Sequence, residues 1–194
     1  SAFNSDNLFE IEHSLTRLFG AQPWCLYTGK NLFSFADNHD VPRLATQLAD
    51  RRKIYALYSV LFTMPGIPCV YYGSEYGKEG GKGDGDIHLR PAMSEIDKSA
   101  NPELCAHIRK LCSIRNASRA LAYGNYEKKV LQNKYFCFER SRDGETVYTA
   151  ANISDSPVNF YVCEGEGDDL LSGNPVALNN VCLAPFSSAI IRKK

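Results

Sequence analysis

Two stretches decide how this chain is read. Asn31-Leu-Phe-Ser-Phe-Ala36 runs straight into Asp37-Asn-His-Asp-Val-Pro-Arg43, and Ile67-Pro-Cys-Val-Tyr-Tyr72 runs into Gly73-Ser-Glu-Tyr-Gly77. Each is a short apolar or aromatic run that ends in a polar cluster. Runs of this length, bounded by turn residues, read as buried strands. Between them, residues 51–64 carry Ile54, Leu57, Tyr58, Leu61 and Phe62 at helical spacing, and Pro65-Gly66 ends that pattern. Upstream, residues 7–19 repeat the period with Leu8, Ile11, Leu15, Leu18 and Phe19, after the cap residues Asn4, Ser5 and Asp6 and before Gly20. Downstream, residues 101–116 read as a third helix with Pro102 in the first turn, where proline is tolerated. Helix, strand, helix, strand, helix is the α/β grammar of parallel strands and crossover helices.

After Arg119 the grammar changes. Tyr135-Phe-Cys-Phe-Glu-Arg140, Thr146-Val-Tyr-Thr-Ala-Ala151 and Val158-Asn-Phe-Tyr-Val162 are short β-type runs. Turn signals separate them at residues 142–145, 154–157 and 165–168. Residues 181–183 and 189–191 finish the series. The expected fold class is therefore α/β followed by all-β. Residues 1–118 form the first unit, and residues 119–194 an antiparallel β module with no helix of any length.

The bulk numbers narrow the function classes. The chain has 194 residues, 44% of them hydrophobic and 23% charged, with Lys+Arg and Asp+Glu at 22 each. That is ordinary globular composition, long enough to bury a sizeable core. The charge is balanced, without the basic stripe expected of a nucleic-acid binder. The cationic cluster Arg192-Lys193-Lys194 reads as a solvated tail. No apolar run approaches the roughly 20 residues of a membrane helix. Neither nucleic acid nor membrane is expected as a partner.

Seven cysteines are present, at 25, 69, 105, 112, 137, 163 and 182, with no C-x-x-C pair. Cys105 and Cys112 share a helical face but lie about 10.5 Å apart by helical rise, too far for a disulfide. They read as mostly buried free thiols of a reducing compartment, hence a cytoplasmic expectation. Asn116-Ala-Ser118 and Asn152-Ile-Ser154 fit the glycosylation sequon, a pattern common by chance.

In βα architectures the functional groups sit where strands enter loops. The first such point carries Asp37, Asn38, His39, Asp40 and Arg43. The second carries Ser74, Glu75 and a glycine-rich loop through Asp84, Asp86, His88 and Arg90. Sequential strands are usually neighbours, so both clusters are expected to line one pocket. Carboxylates beside imidazoles and guanidiniums suit sugar chemistry, in which one acid protonates the leaving oxygen and a carboxylate faces the developing positive charge. Phosphate and metal enzymes carry similar loops. Residues 77–86 lack the G-K-[ST] ending and following helix of a phosphate loop. Asp84-Gly-Asp86 lacks the other ligands of a calcium loop, so no metal or cofactor is assigned. Tyr71 and Tyr72 can offer aromatic faces to a sugar or belong to the core. Asp37 and Asn38 are read as local turn hydrogen-bonders.

At Phe35-Ala-Asp-Asn-His-Asp40 the chain resembles the fourth signature region of the α-amylase superfamily, found at the end of the seventh strand of its (β/α)8 TIM barrel. Met64-Pro-Gly-Ile-Pro-Cys-Val-Tyr-Tyr-Gly-Ser-Glu75 is similar to that family's eighth strand. Leu89-Arg-Pro91 resembles its rim segment, and residues 111–124 its last barrel helix and the link to a C-terminal β-sandwich. The resemblance implies the last part of a (β/α)8 barrel, about strands 7–8 with flanking helices, over 1–118, and an antiparallel β-sandwich over 119–194.

It implies a retaining α-glucan hydrolase of cyclomaltodextrinase type acting on α-1,4-glucosidic bonds of an α-glucan oligosaccharide or cyclodextrin. Asp40 would stabilise the transition state, and His39, Arg43, Asp86 and Arg90 would bind substrate. Glu75 looks structural, with a rim role as the alternative. A calcium ion is possible in the whole protein and is not indicated here. The family's nucleophilic aspartate and acid glutamate lie on the fourth and fifth strands, upstream of any strand readable here. The chain alone is then expected to be catalytically incomplete, and residues 1–118 to need the preceding barrel strands or self-association. Two rivals stand beside this reading. One is a non-catalytic carbohydrate-binding or interaction module, for which exposed tyrosines among Tyr126, Tyr135, Tyr148 and Tyr161 would speak. The other is a stand-alone hydrolase using Asp40 and Glu75.

Overall fold

The computed structural model describes residues 2–194, the side chain of Asp84 excepted. Asp84, weighed above as half of a calcium pair, therefore lies outside the described side chains.

The first part holds helices α1 (Leu8–Phe19), α2 (Leu44–Gln47), α3 (Ile54–Thr63), α4 (Asp86–Leu89), α5 (Pro102–Asn116) and α6 (Arg119–Tyr123), with strands β1 (Phe33–Phe35) and β2 (Ile67–Cys69). β1 and β2 pair in parallel, Phe33 opposite Ile67 and Phe35 opposite Cys69, as the α/β grammar requires. α3 is apolar almost all round, with Ile54, Ala56 and every residue from Tyr58 to Thr63 buried, as suits a helix packed on several sides. It lies against α5, whose Leu104, Ile108, Leu111 and Ile114 form one apolar stripe. Asn101 caps α5, its Oδ1 accepting from Leu104 N at 3.0 Å.

The second part is a six-stranded antiparallel sheet, ordered β3 (Asn125–Leu131), β4 (Tyr135–Arg142), β5 (Glu145–Asn152), β10 (Ser188–Lys193), β7 (Glu166–Asp169), β8 (Pro175–Ala177). A separate pair joins β6 (Val158–Phe160) to β9 (Val181–Leu183). Asp143-Gly144, at φ 51° and 82°, makes the two-residue turn between β4 and β5. Alternation sorts the large sheet's side chains onto two faces. Phe136, Phe138, Val147, Ala151 and Ile190 join the helices in one core. Cys137, Tyr148, Ala150, Ala189 and Ile191 meet Phe160, Val181 and Leu183 of the small sheet in another. The first core crosses residue 119 without interruption, from Phe3 to Ile190.

Several expectations are corrected. Residues 119–123 are helical, because Ser118 accepts from Leu121 N at 3.1 Å and starts a turn that the loss of long-range period conceals. Residues 165–168, read as a turn, contribute to β7. Gly167 lies so close to β10 that an added Cβ would meet Ile191 Cγ2 at 2.5 Å, and Asp169 accepts from Leu171, Ser172 and Ile190 backbone N–H groups. Tertiary pairing overrides the local turn composition. Arg192 and Lys193 are strand residues with exposed side chains, and Lys194 pairs with Asp168, so this cluster is no free tail.

All seven cysteines are free thiols, but only Cys137 is fully buried, and Cys112 and Cys182 are exposed. Asn152 of the second sequon is buried, its Nδ2 donating to Ser156 O and Ala184 O. β1, read as buried, exposes Phe33 at 63% and Phe35 at 47%, and β2 exposes Ile67 at 49%, because no other described element covers that face.

Candidate functional site

The loops that leave β1 and β2 meet side by side, as neighbouring parallel strands demand. At the rim, Arg90 Nη2 donates to Asp40 Oδ1 at 2.9 Å and Arg90 Nε to His39 O at 3.2 Å. His39 Nε2 lies 3.1 Å from Asp40 Oδ2, and Arg90 Nη1 lies 3.8 Å from Asp86 Oδ2. Asp86 and Arg90 sit four residues apart across α4, which puts them on one helical face. The side chains of Asp40, His39, Arg90 and Asp86 all stay open to solvent. The Asp40 carboxylate is thus shared between an imidazole and a guanidinium and faces outward, ready to accept from a hydroxyl or meet a developing cation.

Beneath the rim lies a buried polar layer. Asn38 makes the expected local turn, its Oδ1 accepting from Asp40 N at 2.8 Å. Asp37 reaches further. Its Oδ2 accepts from Leu44 N and from Ser74 Oγ, each at 2.7 Å, so it ties the first loop to the second. Arg43 is fully buried. Its Nη1 donates to Tyr72 O at 2.7 Å and to Ser74 Oγ at 3.4 Å, and its guanidinium lies over the Tyr71 ring at 4.2 Å. Tyr71 and Tyr72 are therefore half-buried partners of a cation rather than plain core or free platforms. Tyr72 OH donates to Pro91 O, which anchors the rim segment.

The glycine-rich stretch has a steric cause at Gly80. A Cβ there would collide with His88 O, and Arg43 Cγ lies on the same side. Gly80 O accepts from Arg43 N, and Gly80 N donates to Thr46 Oγ1. Among the described residues, Glu75 Oε2 and Arg43 Nε and Nη2 are buried without a hydrogen-bond partner. Burial, with Asp37 and Glu75 nearby, pushes the Tyr58 phenol well up and keeps it protonated.

Of the residues singled out in the sequence, the structure brings His39, Asp40, Asp86 and Arg90 together at the rim. Arg43, expected to bind substrate, exposes no surface and sits a layer below. Thr46 and Gly80 were missed, since a threonine in a short helix and one glycine among several carry no distinguishing signal.

Residues 20–120 match the family described as alpha amylase, catalytic domain. The cyclomaltodextrin glucanotransferase of Geobacillus stearothermophilus is 33% identical over 153 residues, which is 79% of this chain and 20% of that protein. The cyclomaltodextrinase of Geobacillus thermopakistaniensis is 32% identical over 153 residues, 77% of this chain and 24% of its own length. The solved α-amylase of Geobacillus thermoleovorans, complexed with acarbose, shares the fold with a TM-score of 0.79 at 22% identity, over 96% of this chain and 42% of that one. The chain thus spans about a quarter or less of the length of these curated relatives. On the strength of the family match and these relatives, the chain belongs to the α-amylase family.

Proposed function

We propose that this chain carries the Asp40 end of the cleft of a retaining α-glucan hydrolase or transferase, acting on α-1,4-linked oligosaccharides or cyclodextrins. The observation that carries the proposal is the exposed carboxylate of Asp40, held between His39 and Arg90 on loops from adjacent parallel strands. In this reading Asp40 accepts from sugar hydroxyls and faces the oxocarbenium-like charge of the transition state. His39 bonds the sugar in the cleavage subsite, and Arg90 with Asp86 shapes the neighbouring wall.

Residues 1–118 supply the last two strands of a (β/α)8 barrel, and residues 119–194 the sandwich that closes it, built from the large sheet and the β6–β9 pair. Retaining chemistry needs a nucleophile and an acid about 5–5.5 Å apart, and Asp40 with its cationic neighbours is neither pair member. Those two carboxylates come from preceding strands, so the chain alone does not turn over. The exposed face of β1 and β2 is where those strands, or a second copy, would sit. The free thiols fit a reducing, cytoplasmic setting.

The test is reducing-sugar release from maltodextrin and cyclodextrin. The 194-residue chain should release none. A longer protein bearing the upstream strands should be active, and Asp40→Asn in it should lower kcat about 10²- to 10³-fold, the scale of one lost electrostatic stabiliser. Cleavage by the chain alone that vanishes in Asp40→Asn would overturn the incomplete-site reading.

A further inference from the structure

Arg43 carries a guanidinium with no exposed surface and, among the described residues, no carboxylate within ion-pair distance. Its compensation is the stack on Tyr71 and Tyr72 and the bonds from Nη1. A guanidinium buried on such terms is costly, and an apolar side chain would fill the space at less cost. Its contacts all lead to one place. Arg43 belongs to the loop that carries His39 and Asp40, and its partners Tyr72, Ser74 and Gly80 belong to the loop that leads to Asp86 and Arg90. Ser74 passes the link on to Asp37, at the root of the first loop. The rim pairing of Arg90 with Asp40 is itself half-exposed, and exposed ion pairs hold geometry weakly. Something beneath must fix the separation of the two loops.

We propose that Arg43, acting through Tyr72, Ser74 and Asp37, is a positioning residue that holds Asp40 in register with Arg90, and that it touches no sugar. The role rests on the reading of Asp40 given above but is tested apart from it. Arg90 Nε–H donates to His39 O, so its ¹H–¹⁵N signal reports directly on the meeting of the two loops.

The experiment compares Arg90 Nε–H exchange in the 194-residue chain with that in Arg43→Gln, Arg43→Lys and Ser74→Ala. Backbone amides of residues 125–152 serve as the folding control. The expected result is exchange faster by about tenfold in Arg43→Gln and Ser74→Ala, with the control amides unchanged, and partial restoration in Arg43→Lys, which keeps a donor for Tyr72 O. Unchanged Arg90 exchange in both Arg43→Gln and Ser74→Ala would overturn the proposal and leave Arg43 a packing residue. Should Arg43→Gln fail to fold, Ser74→Ala alone decides, since it deletes a single hydroxyl. Failure of the Asp40→Asn activity test leaves these exchange rates untouched, so the two ideas can fall separately.

Discussion

At the scale of single residues, burial decides what a side chain can do. The exposed cluster of His39, Asp40, Asp86 and Arg90 was legible because each is polar and lies in a loop that follows an apolar run, and such loops face solvent. Arg43 stands in the same quoted string, yet its fate depends on Tyr71, Tyr72 and Gly80, which lie far along the chain and whose contacts no local pattern announces. His107 shows the same dependence with a consequence for pH. On α5 its Nε2 lies 3.2 Å from Tyr55 O and from Ser59 Oγ, and Ser188 Oγ donates to Ser59 from β10. Burial lowers its pKa from the ordinary 6.5, and the Tyr55 carbonyl offsets this only in part. The unfolded chain then takes up the proton first as pH falls, so acid favours unfolding. The contribution is flat above pH 6.5 and negative below it. Urea unfolding of the wild type and His107→Gln should show the wild type losing more stability than the variant between about pH 6.5 and pH 5. Parallel curves would show that the imidazole takes up its proton as readily in the fold as outside it.

At the scale of elements, α1, α3 and α5 were legible because an apolar period over three turns survives any tertiary context. α6 and β7 were not, being five and four residues long and owed to a Ser118 cap and to pairing with β10. The end of α3 shows how the helical part is joined to the sheet. Its last carbonyls point at two arginines from other elements. Arg140 of β4 donates to Thr63 O at 2.7 Å and to Gly124 O and Asn125 O, while Arg115 of α5 donates to Phe62 O, Met64 O and Gly66 O. Cations at a helix C-terminus meet both the orphan carbonyls and the negative end of the dipole. Burial, with Arg115 adding to it, brings Arg140 down to about 9, so it is still charged at neutral pH. Arg140→Leu relieves a buried charge but strands three carbonyls, and the unmet carbonyls dominate because each costs about 1–3 kcal/mol when left buried. The expected loss is about 2–4 kcal/mol in urea unfolding. An unchanged or raised midpoint would mean that desolvating the guanidinium cancels its bonds.

At the scale of the whole molecule, the change from α/β to β grammar near residue 119 was legible because a shift of period extends over many residues. The burial of β1 and β2 was misjudged, since burial belongs to neighbours and these two strands have neighbours on one side only. Phe33, Phe35 and Ile67 present an apolar face, and both outer edges of the two-stranded sheet carry backbone groups that neither strand pairs. Nearby in sequence, Trp24 and Leu26 are 60% and 55% exposed. An unpaired strand edge beside exposed aromatic rings is a template for association. The large sheet offers no comparable surface, because its Phe136, Phe138 and Ile190 are covered by helices and its other face by β6 and β9. Association should therefore be concentration-dependent and should run through β1. Sedimentation velocity on the chain should show dimers or larger species in the micromolar range, about the strength that burial of a few hundred Å² of apolar surface provides. Phe33→Lys with Phe35→Lys should return it to a monomer, with little loss of stability, because both side chains already face solvent. A wild-type chain that stays monomeric at high concentration would show that this face is tolerated open, and would remove the case for either a second copy or preceding strands as its cover.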